Sequence, residues 1–138
     1  MSNTVITVEV IIDASVEQVW NYFTDPQHVT KWNAASSDWH TTNAENDLTI
    51  GGKFSYRMEA KDGSFGFDFW GIYDNIVLHK IIEYTLGDDR KVIVGFKNVN
   101  NTTEIIEKFD AETVNSVELQ QSGWQAILNN FKAYVEAN

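Results

Sequence analysis

The chain has 138 residues, 43% hydrophobic and 13% aromatic, which suits one domain (1–138) with a substantial core and argues against a disordered chain. Its formal net charge of −10 argues against nucleic acid and anionic membrane surfaces as partners, since both are bound through clustered Lys and Arg. There is no cysteine, hence no disulfide framework and no thiolate nucleophile or metal ligand.

The opening MSNTVITVEV lacks the basic and apolar regions of a signal peptide. No apolar run approaches the ~20 residues of a membrane span, so a cytoplasmic location is expected. Ile6, Val8, Val10 and Ile12 then alternate with Thr7, Glu9 and Ile11, the pattern of a strand with one apolar face. Ser15 and Gln18 form a capping box ahead of Val16, Val19, Trp20 and Phe23 at helical spacing. Asp25-Pro26 ends that helix and can start a second, with Asp25 as cap and Val29 and Trp32 one turn apart. Residues 34–50 are the least patterned, with a short strand at Trp39 and a long loop after it. Gly51-Gly52 marks a turn.

Phe54, Tyr56 and Met58 alternate with Ser55, Arg57 and Glu59, and Asp62-Gly63 predicts a hairpin. The returning strand sets Phe65, Phe67 and Phe69 against Gly66, Asp68 and Trp70. Gly71 predicts a bend or bulge, which leaves the inward face open beyond it. Ile82, Tyr84 and Leu86 form the next strand, Gly87-Asp88-Asp89 turns the chain, and Val92, Val94 and Phe96 alternate again before a loop at Asn98 to Asn101. Ile105 and Phe109 share a face of the last strand, with Glu107 between them. The final helix is expected to start near Asn115, capped with Glu118, and to present a seam of Val117, Gln121, Trp124, Leu128, Phe131 and Val135 flanked by Ile127 and Tyr134. About 22 helical residues span roughly 33 Å, enough to cross a sheet.

This ordered set resembles the START-like, or Bet v 1-like (SRPBCC), superfamily, and within it the branch named after the C-terminal domain of the activator of Hsp90 ATPase. The resemblance rests on DASVEQVWNYFTDPQHVTKWN, GGKFSYRMEAKDGSFGFDFWG, HKIIEYTLGDDRKVIVGF, EIIEKFDAET and GWQAILNNFKAYVE, which together cover most of the chain. It implies an α+β helix-grip fold: a curved antiparallel sheet wraps the C-terminal helix, and two short helices follow the first strand. Activity is less determined, because one fold serves many functions. Relatives are mostly treated as carriers or sensors of small ligands. Others cyclise polyketide-like substrates with one acid or a tyrosine. The eukaryotic activators carry a further N-terminal domain, whereas here the matching region starts at the first strand. Contact with a chaperone is therefore a weaker expectation, one that calls for an exposed apolar patch.

The expected activity is binding of a small hydrophobic, aromatic or lipid-like molecule between sheet and helix, by a monomer or homodimer. The candidate ligand-binding residues are Trp32, Trp39, Phe54, Tyr56, Met58, Phe67, Phe69, Tyr84 and Phe96, with Gln121, Trp124 and Leu128 from the last helix. Tyr56 and Tyr84 offer polar tips inside a pocket, or hydroxyls at a wet rim. Gln121 is a polar residue in an apolar seam and reaches either solvent or a polar group in the cavity. Gly123 costs about 1 kcal/mol within a helix, which close backbone approach to the sheet or a ligand would offset. Glu107 and Asp68 would be acid–base candidates only if they face inward; strand acids more often face solvent. Arg57 reads as a surface ion-pair residue. His28, His40 and His79 are far apart, and neither a metal, a cofactor nor a catalytic triad is expected.

Overall fold

The structure is a computed structural model and describes residues 4–138; the first three residues of the expected 1–138 domain lie outside the described residues. Strand β1 (Val5–Ile12) leads into helices α1 (Val16–Thr24) and α2 (Pro26–Trp32). Strands β2 (Trp39–Asn46), β3 (Lys53–Ala60), β4 (Gly66–Val77), β5 (Ile81–Leu86), β6 (Lys91–Val99) and β7 (Thr102–Asp110) follow, and helix α3 (Val117–Ala137) ends the chain. The strands form one antiparallel sheet in the order β1-β7-β6-β5-β4-β3-β2, curled around α3. This is the α+β helix-grip architecture the sequence implied. No described helix is long and apolar enough to cross a membrane.

The helix starts follow local chemistry. The Ser15 hydroxyl accepts from the Gln18 N–H at 3.2 Å, and the Asp25 carboxylate accepts from the Gln27 N–H at 2.9 Å with Pro26 in the first turn. The cap of α3 is Ser116, accepting from the Leu119 N–H at 3.1 Å, rather than the expected Asn115. The buried polar residue of α3 is Gln120, not Gln121. Its amide accepts from the Glu112 N–H and donates to the carbonyls of Glu112 and Asn115, tying down the chain before the helix. Val117 is exposed, so the apolar seam begins at Trp124 and continues through Leu128, Phe131 and Val135.

Several turns differ from the sequence reading. The loop at Asn98 to Asn101 shrinks to two residues, Asn100 and Asn101, both at positive φ (51° and 68°), because asparagine tolerates the left-handed region a tight hairpin demands. The β3–β4 connection is longer than a two-residue turn and places Gly63 at φ 77°. β2 spans eight residues with a register shift between Thr41 and Asn43; its polar sequence hides the alternation. The inward face of β4 does not change at Gly71. Phe67, Phe69, Gly71 and Tyr73 share it, and the shift falls between Tyr73 and Asn75, after which Ile76 points in opposite Ile82. Gly71 serves close packing instead, since a Cβ there would lie 2.8 Å from the Phe54 ring and 2.9 Å from the Thr85 carbonyl.

The free edge of β1 is covered by a polar stripe on α3. The Gln121 amide donates to the Thr7 carbonyl at 3.2 Å, and the Gln125 amide donates to the Glu9 carbonyl at 2.9 Å while accepting from its N–H at 3.3 Å. Lys132 donates to the Ile11 carbonyl, and Glu136 accepts from the Asp13 N–H at 2.8 Å. One helical turn rises about 5.4 Å and two strand residues about 6.6 Å, so helix and strand stay nearly in step. The stripe acts as an eighth strand made of side chains and shields an edge that would otherwise template pairing. Gln125→Ala should cost about 1–2 kcal/mol in urea unfolding and increase self-association in light scattering; an unchanged midpoint would contradict this role.

Around Gly123 there is open space, with nothing within 4 Å of where a Cβ would stand. Close approach therefore does not explain it. Gly123→Ala should raise stability by about 0.5–1 kcal/mol; a lower urea midpoint would contradict the free volume seen here.

Candidate functional site

Helix α3 is bonded to the β1 edge, at one margin of the sheet. Toward the other margin it meets β4 through Trp124, whose ring lies 6.0 Å from that of Phe69 in an edge-on arrangement. The far half of the sheet curls past the helix, and the side chains between do not fill the gap. The result is a cavity of about 170 Å³.

Its sheet side is formed by Phe54, Tyr56 and Met58 of β3, Phe67, Phe69 and Tyr73 of β4, Ile82 and Tyr84 of β5, and Glu107 of β7. Trp124, Ile127 and Leu128 of α3 close it from above, and Phe23, Thr24, Trp32 and Asn33 close the end beneath the short helices. Phe67 is 38% exposed, the most open lining residue, and marks the side facing solvent. Neighbouring rings hold the walls in place. Phe54 contacts Tyr56, Phe69, Tyr73 and Tyr84 at centroid distances of 4.8–5.7 Å, and Trp124 stacks on Phe109 at 3.8 Å.

Nine of the twelve residues expected from the sequence line this cavity: Trp32, Phe54, Tyr56, Met58, Phe67, Phe69, Tyr84, Trp124 and Leu128. Three lie elsewhere. Trp39, on the edge strand, packs against Phe65 and Phe67 and borders a separate polar hollow with Lys31, Ser36, Ser37 and Asn130. Phe96 is core, wedged against Trp20 and Phe23 at 5.0 and 5.5 Å. Gln121 faces outward onto the β1 edge.

The sequence reading missed Phe23, Thr24, Asn33, Tyr73, Ile82 and Ile127 as lining residues. Tyr73 and Ile82 were legible from alternation, since they share strand faces with Phe69 and Tyr84. Asn33 was not, because it follows α2 in irregular backbone, where the Thr41 hydroxyl donates to its carbonyl and its side-chain amide donates to that hydroxyl.

The polar groups of the cavity are few. Tyr56 and Tyr84 are buried tips rather than rim hydroxyls, and burial holds both phenols well above their usual range. Tyr73 is raised by burial too, and its hydroxyl donates to Asn46 Oδ1 at 2.6 Å. Asn46 in turn donates to the Thr24 carbonyl at 2.7 Å.

Glu107 faces inward, only 7% exposed, against the expectation for a strand acid. Its register partners are Val8 and Val94, and desolvation pushes its carboxyl up to about 8. No described donor bonds it. Because no fully enclosed side-chain N or O atom lacks a partner among the described residues, its unbonded oxygens must touch the cavity space. Asp68, the other candidate acid, is exposed and pairs with Arg57 at 3.5 Å, while Arg57 also bonds Glu59 at 3.0 Å, as a surface ion-pair residue would. No histidine lines the cavity, and the described residues hold no cluster of three or more His, Asp or Glu suited to a metal.

A curled antiparallel sheet closed over a C-terminal helix, with two short helices after the first strand, defines the START-like class. The chain belongs to the family described as Activator of Hsp90 ATPase homolog 1-like protein, whose model matches residues 13–136. It is similar to the AHSA1-like protein from Aeromonas hydrophila, at 46% identity over 97% of this chain and 93% of that one, with a TM-score of 0.91. It is also similar to Chr148 from Cytophaga hutchinsonii, at 54% identity over 96% and 92% of the two chains, with a TM-score of 0.84. CV1439 from Chromobacterium violaceum, 22% identical over 98% and 99% of the chains, shares the fold with a TM-score of 0.87. No curated protein matches the chain.

Proposed function

We propose that this protein binds a small hydrophobic molecule in the cavity between sheet and α3, as a carrier or sensor. The observation that carries the reading is unfilled volume behind aromatic walls. About 170 Å³ is large for a packing defect, and a dry cavity of roughly 150 Å³ is known to accept a benzene-sized guest. Affinity would come mostly from apolar area leaving water, about 25 cal/mol per Å². Fluorescence titration with a panel of single- and double-ring aromatics tests this, since Trp32 and Trp124 line the cavity. Saturable one-to-one quenching is expected; a flat response across the panel would refute it. Phe67→Ala should weaken binding severalfold with little loss of stability, because Phe67 is partly exposed. Trp124→Ala should reduce both, since its ring also stacks on Phe109.

One observation favours a second reading, an enzyme acting on a bound apolar substrate. A buried inward carboxyl displaced to about 8 is suited to proton transfer near neutral pH. This reading predicts chemical conversion of bound carbonyl compounds, lost in Glu107→Gln. Recovery of every guest unchanged by mass spectrometry would exclude it.

A further inference from the structure

We infer that the cavity selects a small aromatic molecule bearing a protonated amine, with the ring held among the aromatic walls and the ammonium on the Glu107 carboxylate. This rests on the reading of the cavity as a binding site and adds the chemical class of the guest.

Glu107 is a buried carboxyl whose oxygens face the cavity and have no donor from the protein. A purely apolar guest would shut that group away from water unpartnered, which is unfavourable. A guest carboxylate would meet Glu107 with no Lys, Arg or His in the lining to offset the repulsion. An ammonium supplies both the missing donor and the missing charge. Tyr84, Tyr56 and Trp124 present ring surfaces to the same space, and aromatic faces attract cations. A net charge of −10 raises the local concentration of cations around the protein.

The carboxyl must ionise to pair with an ammonium. The groups facing Glu107 are Ile105 and Phe109 on its own strand, Val8 on β1, Val94 on β6, Ile82 and Tyr84 on β5, and Trp124 and Leu128 on α3, with Tyr56 and Tyr73 across the cavity. The phenols among them titrate above their usual range, and Arg90 acts on Tyr84 from outside the lining. Glu107 therefore governs the neutral range. Binding an ammonium displaces its proton to solvent, so affinity rises with pH up to about 8.

The test compares 2-phenylethylamine with propylbenzene, its uncharged isostere, by NMR titration at pH 6.5 and 8 with the wild-type protein and Glu107→Gln. The amine should bind at least tenfold more tightly than propylbenzene at pH 8 and lose about tenfold at pH 6.5, while propylbenzene should change by no more than about twofold, in the opposite direction. Glu107→Gln should abolish the preference for the amine and remove the pH dependence of its binding; the wild-type pH dependence decides the matter if that variant does not fold. Propylbenzene binding without preference for the amine would overturn this inference and leave the binding site standing. Failure of both probes to bind would overturn the site as well.

Discussion

In the ligand-free protein, Glu107→Gln should flatten a loss of stability that the wild type shows between pH 5 and pH 8. The carboxyl is ionised in the unfolded chain above the ordinary range near 4.5, but in the fold only above about 8. Between those values the folded protein holds a proton that the unfolded chain has released. Stability therefore falls as pH rises through that window, and the full penalty is present above it. The displacement corresponds to about 3–5 kcal/mol at pH 8 and to a little under about 1 kcal/mol at pH 5. Urea unfolding at pH 5, 6.5 and 8 should show the gap between glutamine variant and wild type widening by the difference. A constant offset from a poorly bonded glutamine amide leaves this slope difference intact. Parallel curves would mean that the carboxyl is as well solvated in the fold as in the unfolded chain, and would contradict its burial.

Ile82→Phe should abolish binding without unfolding the protein. Ile82 is 2% exposed and points into the cavity from β5. In a close-packed core, a larger side chain there would cost about 1–3 kcal/mol through displaced neighbours. Beside vacant volume the ring has somewhere to go, so stability should stay within about 1 kcal/mol of wild type. Affinity for a single-ring aromatic should drop at least tenfold, because ring and guest compete for the same space. Strong destabilisation with affinity unchanged would contradict the cavity's place in the fold.

Where periodicity was clean, the sequence was readable. The alternation of Phe54, Tyr56 and Met58, and of Phe67 and Phe69, identified the sheet wall, and Trp124 and Leu128 identified the helix facing it. Where two faces carried similar residues, it was not. Phe96 follows the same alternation as Tyr84, yet its position nearer the short helices makes it core. Gln121 and Gln120 differ by one step around a helix; Gln120 lies one turn before Trp124 on the buried side, whereas Gln121 faces the β1 edge. Trp39 was misplaced because β2 is an edge strand whose inward residues carry little hydrophobic signal. In the sequence Glu107 is a candidate acid only on the condition that it face inward. Two residues from both Ile105 and Phe109, it must share their face in any regular strand, and the general habit of acids to face water obscured that parity. The polar stripe on α3 carries no apolar signature, because its residues bond the backbone of an edge strand.

The most direct measurement is an NMR titration of the isotope-labelled protein with propylbenzene, following nuclear Overhauser contacts from guest protons to individual methyl groups. Saturable binding with contacts to the methyls of Ile82, Ile127 and Leu128 is the predicted result. Absence of saturation, or contacts confined to outward residues such as Val114 and Leu119, would contradict the account.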